Sequence, residues 1–65
     1  MSTTLTKSQQ REISKVIAMS QDLGTDFVAR SLSALYRSAL KKSQQTEILI
    51  IATLYKAVSS KEFII

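Results

Sequence analysis

Two carboxylates, Asp22 and Asp26, stand on either side of the only glycine, Gly24, and are the closest pair of acids in the chain. Paired acids are the raw material of general acid/base chemistry, but such a pair needs a deep cleft to push its two pKa values apart. A chain of 65 residues offers little depth, and acids beside a glycine are ordinary helix-end residues. There is no His and no Cys, so the commonest general base, the strongest nucleophile and the usual zinc ligands are all missing. Glu12, Glu47 and Glu62 are scattered. The expectation is a protein without catalysis, cofactor or metal.

The other chemistry-bearing set is basic. Arg30, Arg37 and Lys41, with Lys42 beside them, have the spacing of a helix face that can lie along phosphates. The same spacing also describes a solvated helix face. A helix-turn-helix around Leu23-Gly24-Thr25 fits poorly. Arg30 and Ser33 fall where a recognition helix needs inward apolar residues, and its early turns lack a base-reading Asn or Gln. Nine Lys and Arg against five acids leave a net charge of +4, which attracts nucleic acid, anionic membrane or acidic protein alike.

The elements that position these residues are helices. Thr6 and Gln9 have the spacing of a capping box, and Ile13, Val16, Ile17 and Ser20 recur at i, i+3, i+4, i+7, which predicts an amphipathic helix over about residues 7–22. Met1–Thr4 is expected to fray. Leu23-Gly24-Thr25 is the turn: Gly24 ends one helix in the left-handed conformation, Thr25 caps the next and Asp26 complements its dipole. From Thr25 to Ser60 there is no Gly or Pro, so one long helix is expected over about 26–58. At 100° per residue, Val28, Leu32, Leu35, Ala39, Thr46, Ile50, Thr53 and Ala57 fall on one line, the expected buried face. The polar run Lys41–Glu47 is the doubtful join. A break there, with Ser43 or Thr46 capping a third helix, gives a three-helix bundle instead. The apolar end at 61–65 either folds back or lies against a partner.

The expected fold is one all-α domain over 1–65, an antiparallel helical hairpin of a short and a long helix. A chain this small, with no disulfide or metal, has oligomerisation left as its staple, so the hairpin is expected to dimerise into a four-helix bundle. Opposite the buried line, the long helix carries Ile48, Ile51 and Tyr55. A helix that is apolar all round must be covered all round, so these three are read as a docking surface for a larger protein, with Arg37 and Lys41 steering an acidic partner toward it. Core packing is the competing reading. The longest apolar region, Ile48–Val58, is interrupted by Thr53 and Lys56 and is too short to cross a bilayer. No secretory signal is visible, and a cytoplasmic, non-membrane protein is expected.

Leu5-Thr6, Gln9-Gln10, Ile13, Gln21, Leu23, Leu32, Leu35-Tyr36, Lys42 and Leu49-Ile50 together resemble the NblA/Ycf18 family of phycobilisome-degradation adaptors, without gaps from Leu5 to Ile50. The resemblance implies a homodimeric four-helix bundle that docks on phycobiliproteins and delivers them to a Clp-type protease. The chain departs from the family pattern around Ser8, at Lys42-Ser43-Gln44, at Ile51, where the family usually has a lysine, and in the apolar stretch after Leu54. A homodimeric adaptor is therefore the leading functional expectation. The alternatives are a small nucleic-acid-associated transcriptional regulator using Arg30, Arg37, Lys41 and Lys42, and a phage- or plasmid-borne inhibitor of a host regulator.

Overall fold

Residues 3–64 are described by a computed structural model. Helix α1 spans Lys7–Leu23, α2 Thr25–Ser38 and α3 Lys42–Leu54, followed by a 3-10 turn at Ala57–Ser59. Among the described residues there is no strand.

Helix α1 starts where its capping box places it. The Thr6 hydroxyl accepts from the Gln9 N–H at 3.1 Å, and the Gln9 side chain accepts from the Thr6 N–H at 2.8 Å, an arrangement that stabilises a helix by about 1 kcal/mol. Gly24 ends it at φ 85°, ψ 179°, its N–H bonded to the Ser20 carbonyl. Here φ is positive as expected, but the ψ is extended. The same residue also caps α2, so Thr25 is already helical.

The long helix is a correction: it is broken. Ala39 (φ −67°, ψ 134°) and Lys41 (φ −113°, ψ 141°) are both extended, and the chain doubles back. A continuous helix over 26–58 would measure roughly 50 Å at 1.5 Å per residue, whereas the longest dimension of the molecule is 28 Å. Half of that rod would have had nothing beside it. Breaking it lets α3 return along α2. The polar run that made the join doubtful supplies the ends. Gln45 Nε2 donates to the Tyr36 carbonyl at 3.1 Å, and the Gln44 and Gln45 N–H groups both donate to the Lys41 carbonyl at 3.1 Å. The cap position of α3 is Lys41, not Ser43 or Thr46.

The break also resets the helical phase. Val28 and Leu32 are buried, and Leu35 and Ala39 pack against the core; beyond Ala39 the expected line fails along α3 and holds again only at Ala57, which is fully buried in the 3-10 turn. Thr46, Ile50 and Thr53 are exposed, and the inward face of α3 is Gln44, Ile48 and Ala52. The two-helix hairpin is accordingly replaced by three helices running up-down-up, with α2 packed between α1 and α3.

The described residues nearest each end of the chain are tied down. Thr3 and Thr4, expected to fray, are bonded to the Glu47 carboxylate on α3, Leu5 is buried, and the buried Gln44 donates to the Thr4 carbonyl at 3.1 Å. Met1 and Ser2 lie outside the described residues. The C-terminal tail folds back along α2. Ser60 meets Asp26 at 2.7 Å, Glu62 meets Arg30 at 3.3 Å, and Ile64 meets Ser33. The tail makes these contacts through a turn, in which the Phe63 N–H donates to the Ser60 carbonyl at 3.1 Å. Phe63 stacks edge-on to Tyr36, centroids 6.5 Å apart. Ile65, part of the expected apolar end, lies outside the described residues.

Candidate functional site

The α2–α3 corner gathers Arg37, Leu40, Lys41 and Lys42. Leu40 is 97% exposed, and the extended residues on either side leave its side chain without a packing partner. The corner is nevertheless held at both ends, by Ala39 N–H on the Leu35 carbonyl at 3.0 Å and by the two amides of α3 on Lys41 O. Burying a leucine side chain is worth about 1.5–3 kcal/mol, and the fold forgoes that here. Arg37, Lys41 and Lys42 are all exposed beside it.

Three of the five acids are held in internal bonds. Asp26 is taken by the Ser60 hydroxyl, Glu47 by Thr3 and Thr4, and Glu62 by Arg30. The Thr3 hydroxyl and then the Thr4 N–H hold the Glu47 carboxyl below its usual range. Arg30–Glu62 is the only ion pair within 4.0 Å among the described residues. Among the described residues, every Lys and Arg but Arg30 lacks an ion-pair partner within 4.0 Å, and of the acids only Glu12 and Asp22 lack an internal bond.

The residues expected to form the site are dispersed. Ile48 is a correction: it is fully buried, because the break turns its side of α3 toward α2. Ile51 is half-buried, on the floor of a cleft of about 280 Å³ between α1 and α3 that is also lined by Leu5, Gln10, Ile13 and Glu47. Tyr55 is 42% exposed at the far end of α3, about 20 Å along the helix from Lys42. The structure therefore does not bring Ile48, Ile51 and Tyr55 together with Arg37 and Lys41. Arg30 is drawn off the basic set by Glu62, and only Arg37, Lys41 and Lys42 share the corner. Sequence reasoning missed Leu40. Its one signal was falling about 100° off the line through Ala39, a large apolar residue where the core face had no use for it.

Helix α2, the recognition helix of the DNA-binding alternative, is covered by α1, by α3 and by the tail. Ser33, which fitted that alternative badly, is buried and bonded to the tail. Of the acids flanking Gly24, Asp26 sits in the first turn of α2 and accepts from the Ser60 hydroxyl, while Asp22 is exposed on α1. No helix among the described residues is long and apolar enough to cross a membrane. No family model, curated protein or solved structure matches the chain.

Proposed function

We propose that this chain is a non-enzymatic, cytoplasmic, homodimeric adaptor that binds a larger acidic protein through the α2–α3 corner. The observation that carries the reading is Leu40, a fully presented leucine ringed by Arg37, Lys41 and Lys42. It has the make-up of an interface anchor, one apolar side chain for a pocket and a charged rim that steers and orients. The partner it fits has an apolar pocket bordered by Asp and Glu. The resemblance to phycobilisome-degradation adaptors supports the same class of function, with a phycobiliprotein as cargo for a Clp-type protease as its specific form.

Capture from host extract by the wild type, Leu40→Asp and the double variant Lys41→Glu/Lys42→Glu tests it. The expected result is an acidic protein held by the wild type, released by salt, and weakened at least about tenfold by Leu40→Asp with helicity unchanged. Identical capture by wild type and Leu40→Asp would overturn it. So would tight, salt-steep binding of duplex DNA that is lost when Arg37, Lys41 and Lys42 become Ala.

A further inference from the structure

The α2–α3 corner is one part of a larger basic end. With three helices running up-down-up, the start of α1, the end of α2 and the start of α3 share one end of the molecule, and the bonds of Thr4 to Gln44 and Glu47 hold the first beside the last. Lys7 and Arg11 therefore join Arg37, Lys41 and Lys42 there, against Glu12 and Glu47. Of these two acids, Glu47 is already bonded to Thr3 and Thr4. The opposite end, with Asp22, Asp26, Lys56 and Lys61, is balanced, so the net charge of +4 is gathered away from it.

Helix α1 carries its share of this charge as a row. Lys7, Arg11 and Lys15 are exposed and four residues apart, and they rise about 6 Å per step, roughly 12 Å in all. At 100° per residue, Arg11 lies about 160° round the helix from the buried Ile13 and about 140° from the buried Val16. The row faces away from the core. Local energetics oppose it: like charges four residues apart weaken a helix, and cations near its start oppose its dipole. Lys7 nonetheless opens α1, whose first turn has no acid and whose last turn has no base. Among the described residues no ion pair within 4.0 Å offsets this, even from Glu12, three residues before Lys15. What offsets it lies outside the molecule.

We infer that the acidic partner of the corner extends along the outer face of α1, where a row of its carboxylates meets Lys7, Arg11 and Lys15. A partner helix with Asp or Glu at every fourth residue has the same rise and fits the row. Leu40, 97% exposed at the same end, favours a protein over a nucleic acid, because a phosphate backbone has no apolar pocket to receive it.

This inference rests on the reading of the corner as a docking site, and poly-L-glutamate, which has carboxylates but no pocket, tests it separately. Titrated into the isotope-labelled full chain at low salt, it should shift the amides of residues 7–15 and of Arg37, Lys41 and Lys42, and leave Lys56 and Lys61 unmoved. Lys7→Glu/Arg11→Glu should weaken that binding at least about tenfold and lower capture of the acidic protein as well. Lys56→Glu/Lys61→Glu, with the same change of net charge, should bind as the wild type does. The first pair should also melt at a higher temperature than the wild type, since it brings acids to the start of α1, so its loss of binding cannot come from unfolding. Equal loss in both pairs, shifts that bypass residues 7–15, capture indifferent to Lys7→Glu/Arg11→Glu, or duplex DNA held by the same residues against excess poly-L-glutamate overturns the inference. In any of the first three cases, capture that still depends on Leu40 leaves the corner reading standing. Capture indifferent to Leu40→Asp, with the shifts on α1 intact, overturns the corner alone.

Discussion

The hydroxyl of Ser33 satisfies both backbone groups of Ile64: it accepts from the Ile64 N–H at 2.9 Å and donates to the Ile64 carbonyl. A buried serine in the middle of α2 is thereby the fastening point of the tail. Replacing it with alanine leaves two backbone groups without their partner, at about 1–3 kcal/mol. Denaturant unfolding of Ser33→Ala should show that loss, with faster amide exchange at Ile64.

The N-terminal strap is fastened to a charge. Thr3, the Thr4 N–H at 3.2 Å and the Thr4 hydroxyl at 3.3 Å all donate to Glu47, and these bonds lower its pKa below the ordinary 4.5. A carboxyl whose folded pKa is depressed contributes stability that is fully present above its unfolded value and disappears as pH falls through its folded value. The strap should therefore stay docked near neutrality and loosen in the acid range below 4.5. Amide exchange at Thr4 as a function of pH checks this. Glu47→Gln should remove the pH dependence.

Two residues with positive φ end helices, and only one is a glycine. Gly24 stands at φ 85°, ψ 179° with no atom within 4 Å of where a Cβ would be, so Gly24→Ala should cost about 1–3 kcal/mol through backbone strain alone. Lys56 is left-handed at φ 59°, ψ 23°, where an L side chain is disfavoured by about 1–2 kcal/mol. Lys56→Gly should stabilise the fold, by up to about 1 kcal/mol after the larger entropy of the unfolded glycine chain is counted. Paired thermal melts decide both.

The phase of α3 is open to a two-variant comparison. Ile48→Ala empties a fully buried site and should destabilise by about 2–5 kcal/mol. Ile50→Ala removes the same atoms from a half-exposed one and should change the stability of the monomer by only about 0.5 kcal/mol. Equal costs, or the reverse order, would mean that α3 is rotated from the orientation described.

What was legible in the sequence was what neighbours in sequence decide. Thr6 and Gln9 are three apart and cap each other, and Gly24 is the only residue suited to its backbone angles. The sequence offers a break within Lys41–Glu47 only as its second reading, since no breaker stands there and Lys, Gln and Glu favour helix; the chain breaks just before that run, at Ala39–Lys41. Its cause is non-local: a rod of that length has no neighbour for its second half. Once the join bent, each site assignment beyond it shifted by the same rotation. That is why Ile48 moved to the core and Ile50, placed on the buried line, moved to the surface. Leu40 could not be singled out while it was read as one helix residue among others. The greasy end of the chain signalled that it packs, but not that Ser33 would receive it.

Because α1, α3 and the returning tail pack against α2, change on it is cheap only along the exposed stripe of Asp26, Arg30, Ala34 and Arg37. In any lineage carrying this fold, mutational drift should gather on the outward positions of α1 beyond Lys15 and at the solvent side of the strap, while Val28, Ala29, Leu32 and Ser33 vary least. The stretch most resistant to substitution would then be one that touches no ligand at all.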